Sequence, residues 1–193
     1  MADYIRDKCI IIKVIPVKEA DLLVKVISSE MGFVTAFARG ALKSKKRFGG
    51  GVLEPFHFIE CSFQKNEKIY IQEAKLLEDF QLIRKEYDRV MLGFEFLSYF
   101  DRLNTENLDT KNLFYLLGHT LRALTQTQNL PLLEVQFFAK FLFDQGVLDI
   151  QEEDSTFCRY IGARYDSFEV DPAIIARDRT RLLSQIKSYL NLN

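Results

Sequence analysis

The sequence predicts an α+β chain: a small five-stranded barrel comes first and an all-helical half follows. Three observations carry this. Up to about residue 80 the apolar segments are short and rich in β-branched and aromatic residues, as strands are. Beyond residue 80 apolar side chains recur at steps of three and four, the period of a helix with one face on a core. The 193 residues are 48% hydrophobic and 27% charged, enough for a packed core in one large domain or two small ones.

Strands are expected over residues 4–15, 22–28, 32–38, 56–63 and 68–77. The third alternates cleanly, with Phe33, Thr35 and Phe37 on one face and Val34, Ala36 and Ala38 on the other. Turn signals separate them: residues 16–21, Met31-Gly32, Gly49-Gly50-Gly51 and Lys65-Asn66-Glu67. Five short strands in about 80 residues suit closure into a barrel, which leaves no open sheet edge. An OB-type barrel is preferred to an SH3-like one.

Phe80, Ile83, Tyr87, Val90, Phe94 and Leu97 form one stripe and predict a helix to about Asn104. Leu113, Leu116, Leu117, Leu121 and Leu124 predict a second, capped by Asp109 or Thr110. Pro131 suits the first turn of a third, which runs to about Gln145 and ends at Gly146. Its phenylalanines 137, 138, 141 and 143 surround it, so it should be buried on most sides. Residues 151–171 read as polar and irregular, and residues 174–190 as a last helix. The expected division is a barrel domain over 1–80 and a helical domain over 81–193.

The net charge of −1 argues against a histone-like polycation, though it excludes no local basic stripe. Cys9, Cys61 and Cys158 are odd in number and far apart, so a reducing cytoplasm is expected and a disulfide framework is not. No apolar run reaches the roughly 18 residues of a membrane span. An enzyme reading finds little support: His57 and His119 lie on different elements, and nucleophile-elbow, P-loop and metalloprotease patterns are missing. No catalytic residue and no cofactor are expected. Glu152-Glu153-Asp154 reads as a solvated loop rather than a metal cage. The triple glycine reads as a hairpin loop rather than a phosphate cradle.

The strongest local signal is ARGALKSKKRF. Arg39, Lys43, Lys45, Lys46 and Arg47 place five cations in nine residues, and no acid occurs from Met31 to Leu53. Such a run repels itself unless something anionic offsets it, which makes these residues the candidate DNA-binding set. They should contact phosphates rather than base edges, and an exposed loop should tolerate their removal. Phe33, Phe37 and Phe48 are candidates for stacking with bases, or else for the core.

The segment LLVKVISSEMGFVTAFARGALKSKKRFGGGVLEPF resembles the first domain of the RecO family of bacterial recombination mediators. The matching elements, in order, are Asp21-Leu22-Leu23-Val24, Gly32, Ala38-Arg39-Gly40-Ala41, Lys43-Ser44, Arg47-Phe48 and Leu53-Glu54-Pro55-Phe56. The resemblance implies an OB-fold followed by a helical domain in a cytoplasmic, nucleoid-associated protein. It implies binding of single- and double-stranded DNA, annealing of complementary strands, and help in loading RecA onto DNA coated by single-strand-binding protein. The partners implied are RecR and the acidic tail of single-strand-binding protein, for which Leu117, Leu121, Arg122 and Leu124 are the candidate residues. The alternative is a protein–protein adaptor with weak or no DNA binding.

The chain departs from the resemblance after residue 150. Many RecO proteins carry a four-cysteine zinc element there, whereas here Ile161 stands in CRYIG where a second cysteine would fall. No structural zinc is expected, and Phe157, Tyr160, Tyr165 and Phe168 are the residues expected to fill the space by packing.

Overall fold

The computed structural model describes residues 3–103, 108–148 and 155–192. The chain runs β1 (Asp3–Pro16), β2 (Leu22–Ser28), β3 (Gly32–Ala38), β4 (Phe58–Lys65) and β5 (Ile69–Glu78). A 3-10 turn over Gln81–Lys85 follows, then α1 (Tyr87–Arg102), α2 (Thr110–Gln126), α3 (Leu130–Asp144), α4 (Ser155–Gly162) and α5 (Pro172–Tyr189). The α+β class with strands first is the observed one.

The strands close into a barrel in the order β1-β2-β3-β5-β4. The length of β1 makes this possible, since its first part pairs with β4 and its second with β2, antiparallel in both cases. Closure falls to β3 and β5, which pair in parallel at Phe37 and Tyr70. This five-stranded order, with one crossover back to the middle of the sheet, is that of an OB-type barrel. Inward positions alternate along each strand, so Cys9, Val24, Val26, Val34, Ala36, Ile59, Cys61, Phe63 and Ile71 share one core. The expected fourth strand started too early: Phe56 takes a left-handed φ of 74° and belongs to the preceding turn.

Two carboxylates fasten this unit. Asp7 is buried and accepts hydrogen bonds from the hydroxyls of Ser28 and Ser29 and from the amides of Glu30 (3.0 Å) and Lys8 (2.7 Å). Burial opposes its ionisation, but these donors outweigh burial and hold its pKa below the usual carboxylate value. The β2–β3 turn is thereby tied to β1. That turn also needs Gly32, which has a φ of 70° and where an added Cβ would meet Thr110 Oγ1 at 2.8 Å. Asp101, near the end of α1, accepts from Lys13 Nζ at 2.7 Å and Lys25 Nζ at 3.0 Å.

The chain forms two compact units: Met1–Gln81 with Phe94–Phe114, and Leu82–Gly93 with Tyr115–Asn193. The later part of α1 therefore belongs with the barrel, where Phe100 packs on Phe33 and Phe94 on Phe56. The single helix expected from Phe80 is broken. Phe80 adopts a φ of 47°, and the 3-10 turn resets the phase before α1 begins. Tyr87 and Phe94 of the predicted stripe are therefore exposed, and the buried face of α1 is Leu92, Phe96, Leu97, Tyr99 and Phe100.

In the second unit α3 is buried along most of its length, as its phenylalanines suggested. Asn129 caps it through a bond from the Leu132 amide, with Pro131 in the first turn. Phe143 is the exception and is exposed. Residues 155–162, expected to be irregular, form α4 because Phe157 and Tyr160 share one buried face. Asp171 caps α5 through the Ala173 amide. Phe157, Tyr160 and Phe168 pack as a chain of rings 5.7 and 6.0 Å apart, and the Tyr165 hydroxyl bonds Thr120 Oγ1 at 2.7 Å. Cys158 is exposed, and no three metal-ligating side chains converge among the described residues. Glu152-Glu153-Asp154 and the expected helix end at Asn104 lie outside the described residues.

Candidate nucleic-acid interface

The basic segment leaves β3 at Arg39 and is anchored rather than loose. The Gly40 amide donates to Asp21 Oδ1 at 2.7 Å, Leu42 N to Ala20 O at 3.1 Å, and Ala74 N to Arg47 O at 3.0 Å. Gly40 has a φ of 66°, which turns the chain sharply out of the strand. Ala41, Phe48 and Leu53 enter the barrel core. The loop is thus held at both ends and in the middle by its own apolar residues, which corrects the expectation of a freely exposed segment.

The five cations divide accordingly. Lys43, Lys45 and Lys46 are exposed, and Lys43 lies 3.9 Å from Glu19 at a fully solvated pair. Arg47 is half-buried, donating from Nη2 to Arg39 O at 2.7 Å and from Nε to Ser44 Oγ at 3.4 Å. It is as much a brace for the loop as a surface charge. Arg39 is exposed but ordered by Tyr70, whose hydroxyl accepts from its Nη2 at 2.9 Å and whose ring lies 4.4 Å below the guanidinium carbon.

Arg39 and Arg47, from the segment after β3, line a cleft of about 700 Å³ together with Gln64 of β4, Asn66, Glu67 and Lys68 of the β4–β5 turn, and Tyr70, Ile71 and Gln72 of β5. Phe37 is half-buried beside it, 6.0 Å from Tyr70, with Lys68 Nζ 5.2 Å above its ring. Of the aromatics singled out in the sequence, Phe48 belongs to the core at 4% exposure, and Phe33 packs on Phe100. Phe37 alone among them stands by the cleft. Tyr70, Lys68, Gln64 and Gln72 were missed, because the parallel pairing that brings Tyr70 beside Phe37 joins distant residues and leaves no local pattern.

In the helical unit the predicted tail-binding set separates. Leu117, Leu121 and Leu124 are fully buried, so they cannot touch a ligand; they are the core face of α2. Arg122 is exposed and lines a pocket of about 710 Å³ with Leu116, His119, Ala123, Gln126, Lys140, Arg164 and Tyr165. Lys140 reaches it from α3, donating to the carbonyls of Ile161 and Ala163 just past α4, the second at 2.9 Å. Burial lowers its pKa.

Taken together, a closed five-stranded barrel with a cationic, aromatic cleft, followed by helices α1 to α5 among the described residues, defines an OB-fold protein with an appended helical part. Residues 1–80 match the family described as recombination protein O N terminal. The chain is 33% identical to the DNA repair protein RecO of Syntrophus aciditrophicus over 55% of its length and 42% of that protein. It is 29% identical to the RecO of Maridesulfovibrio salexigens over 81% and 63% of the two chains. With the RecO of Desulforamulus reducens it shares 31% over 86% and 62%. Residues 1–80 are thus a RecO-type N-terminal domain, and the chain's matches span between 42% and 63% of these three relatives' own lengths.

Proposed function

We propose that the protein is a DNA-binding mediator of recombinational repair, which anneals complementary strands and helps load RecA onto DNA coated by single-strand-binding protein. It does this without covalent catalysis, in the cytoplasm at the nucleoid, on both single- and double-stranded DNA, with RecR as a partner. The observation that carries the reading is the lysine-rich loop fixed by its own core residues beside a cationic cleft on an OB-type barrel. Fixed cations lose little freedom on meeting phosphates, and released counterions drive the association. Contacts confined to phosphates suit a protein that must act on any sequence. Among the described residues no helix is long and apolar enough to cross a membrane.

The test is annealing of two complementary oligonucleotides coated with single-strand-binding protein, followed with and without this protein at several salt concentrations. Acceleration that fades steeply with salt is expected. Binding that is absent at low salt would turn the reading toward an adaptor.

The acidic, apolar-ended tail of single-strand-binding protein is assigned to the helical-unit pocket. Arg122, Lys140 and Arg164 supply cations for its carboxylates, and Leu116 with Ala123 supplies apolar surface. Arg122→Glu is expected to weaken capture of the tail peptide by about tenfold or more, each tenfold being roughly 1.4 kcal/mol. Affinity for a bare oligonucleotide should stay at the parent level. Unchanged peptide affinity, read by fluorescence anisotropy, would remove the pocket from the scheme.

A further inference from the structure

We propose that Phe37 and Tyr70 form a seat for one unpaired base, so that the cleft selects single strands over duplex by stacking while the lysine loop grips either form. This rests on the DNA-binding reading above and adds to it a subsite that phosphate contacts cannot provide.

Four observations converge on it. The two rings lie side by side across the β3–β5 seam, 6.0 Å apart and tilted by 39°, and both are only half-buried. Among the barrel's other rings, Phe48 and Phe63 are committed to the core, Phe33 to Phe100 and Phe56 to Phe94, whereas Tyr4 is exposed on β1. Each ring of the seat also carries a cation over it, Arg39 on Tyr70 and Lys68 on Phe37. A cation held on an exposed ring is a weak interaction, readily exchanged for a base whose own phosphate then takes the cation. The adjoining volume of about 700 Å³ lies within the roughly 300–1,000 Å³ usual for ligand sites.

The amide groups of the cleft set its tolerance. Gln64 and Gln72 bond each other at 2.5 Å and line the same cleft. A side-chain amide offers both donor and acceptor, so such groups can meet any base edge without choosing among bases. A base inside a duplex is already stacked and paired, with no face to offer. The seat therefore favours unpaired DNA whatever its sequence.

The experiment compares three probes of equal length at one salt concentration: a thymidine oligonucleotide, the same backbone without bases, and a duplex. The parent protein is expected to bind the oligonucleotide about tenfold more tightly than the abasic strand, the increment of one stacked base. Tyr70→Leu keeps apolar volume but removes the π face, and should lose that increment on the oligonucleotide alone. Tyr70→Phe, which lacks only the hydroxyl, should keep it. Equal affinity of the parent for abasic and base-bearing strands would overturn the seat while leaving phosphate binding in place, and this outcome needs no variant to fold. Equal losses for Tyr70→Leu on both strands would also overturn it. Failure of the parent on all three probes would overturn the DNA-binding reading together with this one.

Discussion

Replacing Lys43, Lys45 and Lys46 together by alanine is expected to weaken oligonucleotide binding by two to three orders of magnitude at 50 mM salt. On single strands each phosphate contact contributes a log–log salt slope of about −0.7, so removing three removes about 2 from the slope. Extrapolated to no difference at 1 M, a slope change of about 2 gives on the order of several hundred-fold at 50 mM. Between 50 and 200 mM the parent should lose roughly 18-fold more affinity than the variant, a difference that fluorescence anisotropy resolves easily.

The three lysines are chosen because they are exposed, so their removal leaves the loop anchors Ala41, Phe48 and Leu53 in place. Arg47 is left out for the opposite reason. Its guanidinium braces Arg39 O and Ser44 Oγ, so Arg47→Ala would mix a change of loop shape with a loss of charge. A triple lysine variant that keeps the parent slope and affinity would move DNA binding away from this loop.

The barrel was legible in the sequence wherever one face of a strand is buried. In β3 the alternation of Val34, Ala36 and Ala38 against Phe33, Thr35 and Phe37 is the observed alternation of buried and more exposed side chains. The helices were legible by the same logic, and the logic also explains the errors. The stripe Leu113, Leu117, Leu121 and Leu124 that reveals α2 is the face that α2 buries, so it could not also meet a ligand. A binding surface is built from the margin of such a stripe, which in the tail pocket proposed above is Leu116 and Arg122.

Features made by distant pairing stayed hidden. Tyr70 reaches Phe37 through a parallel contact, and Lys140 finds the carbonyls beyond α4 from another helix. The five cations were visible as a cluster, but which of them brace and which face solvent depends on loop geometry that composition does not encode.

In the helical unit the largest single effect on stability is expected from Arg89. It is 6% exposed, and it donates from Nη1 to Leu124 O at 2.6 Å and from Nη2 to Thr127 O at 2.9 Å. These carbonyls lie at the end of α2, where backbone acceptors lack helical partners and the helix dipole favours a cation. The planar fork of the guanidinium serves both at once. Its ion pair with Glu86 at 2.9 Å adds little, because that carboxylate is well exposed. Arg89→Met keeps much of the side-chain volume but leaves two buried acceptors without their charged donor, so it should cost about 2–4 kcal/mol. With a urea dependence of about 1–3 kcal/mol per molar, the helical transition followed at 222 nm should move down by roughly 1–2 M. Arg89→Lys, with one compact ammonium for two carbonyls, should fall between variant and parent. A midpoint for Arg89→Met within about 0.3 M of the parent would show that water replaces the guanidinium at little cost, and that the end of α2 is held by packing instead.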